Sequence, residues 1–222
     1  MRVGVIACEI IRLELEHLLV ELEWEPDHIL FLDSALHNVP DKMRTTLVEK
    51  INEMAPNVDA ILLGYGTCQS LENIQDEVAT PLIHPKVDDC LCMMLGPDQY
   101  AAELEKQAGT WFMTPGWADV GVEMVIKELK LDRVKKMGKD PMEFAKMMFS
   151  HYKRVLLIDT GVGNEEKMIE KSREFCHHFN LGLDRVRVDI AMLKEYVIKA
   201  KDLAASDTLD PDMVNPKPRD KE

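Results

Sequence analysis

The 222-residue chain is predicted to be an α/β protein, a mostly parallel sheet with helices on both faces, with two fused α/β halves as a variant of that plan. Two observations predict it. Short apolar runs of strand length alternate with longer amphipathic stretches of helix length along nearly the whole chain. Three of the apolar runs also end alike, in Ile6-Ala7-Cys8, Gly64-Tyr65-Gly66-Thr67-Cys68 and Asp159-Thr160-Gly161-Val162-Gly163. Each places a polar or reactive loop where a parallel strand gives way to its helix, the edge at which open α/β sheets bind ligands.

Residues 3–7 read as a buried strand, and 10–22 as a helix with Ile10, Leu13, His17, Leu18 and Leu22 near helical spacing. A second strand is expected at 28–32, and a helix at 40–54 that Pro40 is suited to start. The third strand, 59–64, breaks at Gly64 and Gly66, which permit a tight turn, and a helix over 70–78 should follow. Residues 81–84 form a fourth strand closed by Pro85, and 88–95 and 97–107 two helices parted by Gly96. A fifth strand at 110–114 stops at Pro115-Gly116-Trp117. The region 118–149 reads as helical with a break from Gly138 to Pro141. A sixth strand at 154–159, a helix to about 179, a seventh strand at 185–189 and a last helix at 192–205 complete the series. A single domain over 1–205 is expected, with a candidate subdomain boundary near 135–150. Pro211, Pro216 and Pro218 point to a flexible tail over 206–222.

Composition narrows the function. With 40 acidic against 27 basic residues the net charge is −13, and no Lys/Arg stripe offsets it, so nucleic acid and anionic membrane surfaces are not expected partners. There is no membrane-length apolar run. Glu9 and Arg12 interrupt the first apolar run, unlike a signal peptide. Five cysteines cannot all pair within one chain, so reduced thiols and a cytoplasmic location are expected.

Position divides those cysteines. Cys8 follows the first strand directly and precedes a helix, where backbone N–H groups stabilise a thiolate. Cys68 holds the matching place after the third strand, and Cys90 follows the fourth by a short loop. If these strands are parallel neighbours, three thiols converge on one rim. Soft thiolates from separate loops suit zinc, copper(I) or an iron–sulfur cluster. For any single cysteine, inert packing is the competing reading. Cys92, two residues from Cys90, and Cys176, mid-helix, are expected to be packing residues.

Three thiolates leave a fourth position, for which His37, His84 and Asp89 are the nearby candidates. Gly64, Gly66, Tyr65, Trp117 and Asp89 are candidates to line a cofactor pocket, alongside Asp159, Gly161 and Gly163. The last three lie in a glycine-containing strand-to-helix turn that could form a backbone nest for an anion. That turn lacks the Gly-Lys-Ser/Thr ending of a P-loop, and Asn164 capping the next helix explains it equally well.

Several motifs carry a resemblance. Ile6-Ala7-Cys8-Glu9-Ile10, Leu36-His37-Asn38-Val39-Pro40, Gly64-Tyr65-Gly66-Thr67-Cys68, Asp88-Asp89-Cys90, Thr114-Pro115-Gly116-Trp117 and Ile158-Asp159-Thr160-Gly161 resemble, in this order, an uncharacterised domain-of-unknown-function family. That family occurs in methanogenic archaea and anaerobic bacteria, often near genes for corrinoid-dependent methyl transfer. The resemblance runs from Met1 to about Lys199 and marks Cys8, Cys68 and Cys90 as motif cysteines. The family pattern has His-Asp-Cys where this chain has Asp88-Asp89-Cys90, which moves any histidine role to His84 or removes it. A looser likeness is to quinolinate-synthase-type proteins, where one cysteine from each of three α/β units holds an iron–sulfur cluster with one iron free.

The leading expectation is a cytoplasmic protein that binds a metal, zinc or an iron–sulfur cluster, through Cys8, Cys68 and Cys90, linked to one-carbon and corrinoid metabolism. The alternatives are a non-catalytic accessory or delivery module for a corrinoid protein or methyltransferase, and an enzyme with a cysteine nucleophile. Whether the chain catalyses a reaction and whether it forms a homo-oligomer stay open at this point.

Overall fold

In a computed structural model, which describes residues 1–209 and Val214, the elements run in the expected α/β order. The first half comprises β1 (Val3–Cys8), α1 (Arg12–Glu21), β2 (His28–Leu32), α2 (Pro40–Met54), β3 (Ala60–Gly64), β4 (Leu82–Ile83) and α3 (Cys90–Leu95). Next come α4 (Pro97–Lys106), β5 (Thr110–Met113), α5 (Pro115–Val120), α6 (Met124–Glu128), α7 (Asp132–Lys135) and α8 (Pro141–Phe149). The chain continues through β6 (Arg154–Asp159), α9 (Glu165–Phe179), β7 (Gly182–Arg187) and α10 (Ala191–Ala205). All strands are parallel to their neighbours, and they form two sheets.

The chain divides into two compact units: Met1–Met94 with the segment from Ile190, and Leu95–Asp189. In the first unit the sheet order is β2-β1-β3-β4. Strands β1 and β3 lie in the middle and are buried at every position, which is why they read as unbroken apolar runs. Helix α2 begins with Pro40 at its first turn and buries Met43, Leu47 and Ile51, one per helical turn, and it packs against β1. Helix α10 returns to this unit and packs on β1, β3 and β4.

The second unit holds β5-β6-β7. Its core is aromatic: Phe149 stacks on Phe179 at 4.4 Å between ring centroids and Trp111 on Trp117 at 5.6 Å. Charged groups are buried in this unit as well, among them Arg154 and Glu103. Arg154, at the start of β6, donates to Glu103 Oε2 and Asp184 Oδ2, both at 2.7 Å, and to Thr110 Oγ1 at 2.9 Å. This clamp ties α4 to all three strands.

Three expected elements differ. Residues 70–78 are not an α-helix but turns ending in a short 3-10 helix, Ile74–Glu77. The reason is local, since Cys68, Gln69 and Asn73 adopt left-handed φ of 45°, 55° and 55°, which an α-helix cannot contain. The stretch 118–149 is broken into α5, α6, α7 and α8, with Gly121, Lys130 and Gly138 at positive φ between them. The seventh strand, at the edge of its sheet, spans Gly182–Arg187 and so begins and ends earlier than the expected 185–189; Gly182 and Asp184, both poor strand formers, mark its unexpected first half. Of the tail expected over 206–222, residues 210–213 and 215–222 lie outside the described residues. No helix among the described residues is long and apolar enough to cross a membrane.

Candidate functional site

The carboxyl ends of β1 and β3 meet at one rim because of their register: Ala7 pairs with Gly64, so Cys8 and Tyr65 are the next residues out. Gly64 is obligatory there, since a Cβ on it would stand 2.6 Å from the Ala7 Cβ. Beyond Gly64 the chain is stitched to the loop that follows β4. Thr67 N–H donates to Val87 O at 2.7 Å, its hydroxyl to the same oxygen at 3.0 Å, and Cys68 N–H to Asp88 O at 2.7 Å. Asp89 then caps α3, accepting from Cys92 N–H at 2.7 Å, and Cys90 is the first residue of that helix. The capping bond and the loop stitching together set where the Cys90 sulfur points.

Three thiols converge as a result. The Cys90 side chain is within hydrogen-bonding reach of both Cys8 and Cys68, and the Gly66 N–H is directed at its sulfur. Cys8 and Cys90 are buried and Cys68 is half-buried. The bond to Cys90, followed by burial and the charges of Cys90 and Asp89, pushes the Cys68 thiol far above its ordinary value. At Cys90 the bond with Cys68 works downward, but the bond with Cys8 and burial outweigh it, and the thiol is raised well above its usual range. None of the groups acting most strongly on either thiol carries a positive charge. They remain protonated unless a positive charge enters.

Tyr65 sits beside this cluster. It is only 2% exposed, and its hydroxyl has no hydrogen-bond partner among the described residues. Burial, then the charges of Cys8, Cys90, Cys68 and Asp33, raise its pKa, so the phenol holds its proton.

The two histidines and Asp89 are already occupied. His84 is buried, and since a carbonyl can only accept and an ammonium only donate, Nε2–H donates to Gly66 O (3.3 Å) while Nδ1 receives from Lys86 Nζ (3.4 Å). Burial and the Lys86 charge push its pKa down to about 4. It supports the 66–68 loop from behind. His37 is exposed and donates from Nδ1 to Ser34 O at 2.6 Å. Lys86, which fixes the tautomer of His84, gave no signal in the sequence, because a lone loop lysine has no pattern to mark it.

Trp117, Asp159, Gly161 and Gly163 belong to the second unit, whereas Cys8, Cys68 and Cys90 belong to the first. Trp117 donates from Nε1 to Glu128 Oε1 at 3.1 Å within its aromatic core. Asp159 is 1% exposed at the end of β6, where it accepts from Arg185, from Arg187 and from Gly161 N–H. Burial works to raise its pKa, but the two guanidiniums and that amide outweigh it. The turn's amides serve its own side chains: Gly161 N–H goes to Asp159 (3.0 Å), Val162 N–H to Thr160 Oγ1 (3.4 Å), and Lys167 N–H to the Asn164 cap (2.9 Å). Arg185 and Arg187 were missed, since they lie in the half of β7 that carries charge.

Among the described residues no three His, Cys, Asp or Glu side chains stand in a ready-made ligating arrangement. The Cys90 side chain is instead hydrogen-bonded to both Cys8 and Cys68.

Fold and site together define an α/β protein with a buried cluster of three thiols at the carboxyl edge of a parallel sheet. A family model described as "Protein of unknown function (DUF1638)" matches residues 31–197, most of the chain, and the chain belongs to that family. The match includes Cys68 and Cys90 and begins after Cys8. No curated protein and no solved structure matches the chain.

Proposed function

We propose that Cys8, Cys68 and Cys90 form a three-thiolate centre for a soft or borderline metal, either zinc or an iron–sulfur cluster with one iron outside the cysteine set. The observation that carries this reading is the convergence of three thiols from three separate strand ends, with no positive charge among the strongest influences on Cys68 and Cys90. A metal dication or cluster supplies that charge, and thiolate donors select against magnesium and calcium. Three protein ligands leave one coordination position for a substrate or exchangeable ligand, which suits Lewis-acid or redox chemistry. A cysteine nucleophile is less well supported. Such a residue needs a lowered pKa and a free base, whereas Cys68 and Cys90 are raised and His84 has both nitrogens engaged.

The setting we infer is the cytoplasm of an anaerobe, in one-carbon metabolism, with a corrinoid protein or methyltransferase as partner. Its support is the motif resemblance of the sequence. The test is purification without oxygen, followed by absorption spectroscopy and metal and sulfide analysis. One metal or cluster per chain is expected, lost in a Cys68→Ser, Cys90→Ser double variant and kept in Cys92→Ser and Cys176→Ser. Full occupancy in the double variant, or no metal after reconstitution, would sink the reading.

A further inference from the structure

We propose that the Tyr65 hydroxyl is the hydrogen-bond donor to an exchangeable oxygen ligand at the fourth position of the three-cysteine centre, solvent at rest and a small carboxylate when ligand is present. This rests on the metal-centre reading and deepens it. Tyr65 is 2% exposed, and its Oη has no partner among the described residues. Leaving a buried hydroxyl unpaired is costly, so its persistence calls for a partner supplied from outside the chain.

The spacing indicates where that partner sits. The phenol feels the charges of Cys8, Cys90 and Cys68 together, yet lies beyond hydrogen-bonding distance of every one of the sulfurs. A donor so placed cannot serve the thiolates themselves. It serves an atom one step further out, bound to whatever the three sulfurs hold. The position of Tyr65 is itself fixed, because Gly64 is pressed against Ala7 and the 66–68 loop is bonded to residues 87 and 88. With its proton held, the phenol can donate to a ligand that presents a lone pair outward, as a carboxylate or bound water does.

The probe is cobalt(II) on the full chain, whose thiolate charge-transfer band reports the sulfurs and whose d–d bands report the fourth ligand. Wild type and Tyr65→Phe should bind one cobalt with the same charge-transfer intensity. Acetate should shift the d–d bands of both, but bind the variant about 10-fold to 100-fold more weakly, the range for one hydrogen bond to a charged acceptor. Equal acetate affinity in the two proteins overturns the Tyr65 assignment and leaves the metal centre standing. Absence of the charge-transfer band in the wild type overturns both. Before loading, Tyr65→Phe should melt no lower than the wild type, because it loses only an unpaired hydroxyl; a lower melting temperature means that the hydroxyl already serves the fold.

Discussion

Gly66 lies against the main chain of Asp89: a Cβ at position 66 would stand 2.5 Å from the Asp89 Cα, 2.6 Å from its carbonyl carbon and 2.7 Å from its nitrogen. All three opposing atoms are backbone, so no rotamer change relieves the contact. Gly66→Ala should therefore cost about 1–3 kcal/mol of folding stability and push the Cys68 and Cys90 loops apart. Urea unfolding and metal stoichiometry measured together check this. An unchanged midpoint with full metal would show that the loop yields without cost.

Asp89 separates a capping role from a ligand role. As the cap of α3 it needs only an acceptor oxygen, so Asp89→Asn should leave stability and metal content nearly unchanged. Asp89→Ala should lose about 1 kcal/mol in urea unfolding. Loss of metal from the asparagine variant would make Asp89 a ligand after all.

His84 makes the fold sensitive to acid. Its folded pKa, about 4, lies below the ordinary histidine value, so the unfolded chain binds the proton more readily. The stabilisation is complete above about pH 6.5 and is lost as the pH falls from there towards 4, up to roughly 3 kcal/mol. The charged neighbours are Lys86, which opposes protonation, and Asp76, which draws on Lys86. In urea unfolding at pH 7 and pH 4.5, His84→Gln should lose about 2 kcal/mol less than the wild type between the two. Parallel losses would place the acid sensitivity elsewhere.

Arg154 and Glu103 form the ion pair most enclosed in the second unit, with side chains 8% and 10% exposed. Arg154→Met should destabilise by about 3–5 kcal/mol, because it strands a carboxylate in the interior. Arg154→Met with Glu103→Leu should recover most of that loss, giving a large coupling in a double-mutant cycle. Additive losses would show that Asp184 and Thr110 carry the clamp.

Much of this architecture could be read from the residues. Strands β1, β2 and β6 are legible because each is a compact apolar run, and the cysteines converge as expected because parallel strands end on one edge. The turn after Cys68 was not legible. Its residues look helical one by one, whereas the bonds of Thr67 to Val87 and of Cys68 to Asp88 open a turn in which Cys68, Gln69 and Asn73 are left-handed. The role of His84 was hidden for a similar reason, since its partners are a main-chain carbonyl and a lysine that carry no periodic signal. The early start of β7 escaped because Gly182 and Asp184 are poor strand formers, and the pairing of Asp184 with Arg154 across the sheet leaves no apolar pattern in the sequence.

The first unit is written in two pieces, with Leu95–Asp189 between them. Helix α10, which covers β1, β3 and β4, therefore leaves the ribosome long after the strands it packs against. At roughly 5–20 residues per second the intervening segment takes about 5–20 s to translate. During that interval, while the inserted unit is being made, the thiol-bearing sheet lacks one of its walls. The nascent chain thus holds β1, β3 and β4 uncovered on the α10 side until the last part of the first unit has been made.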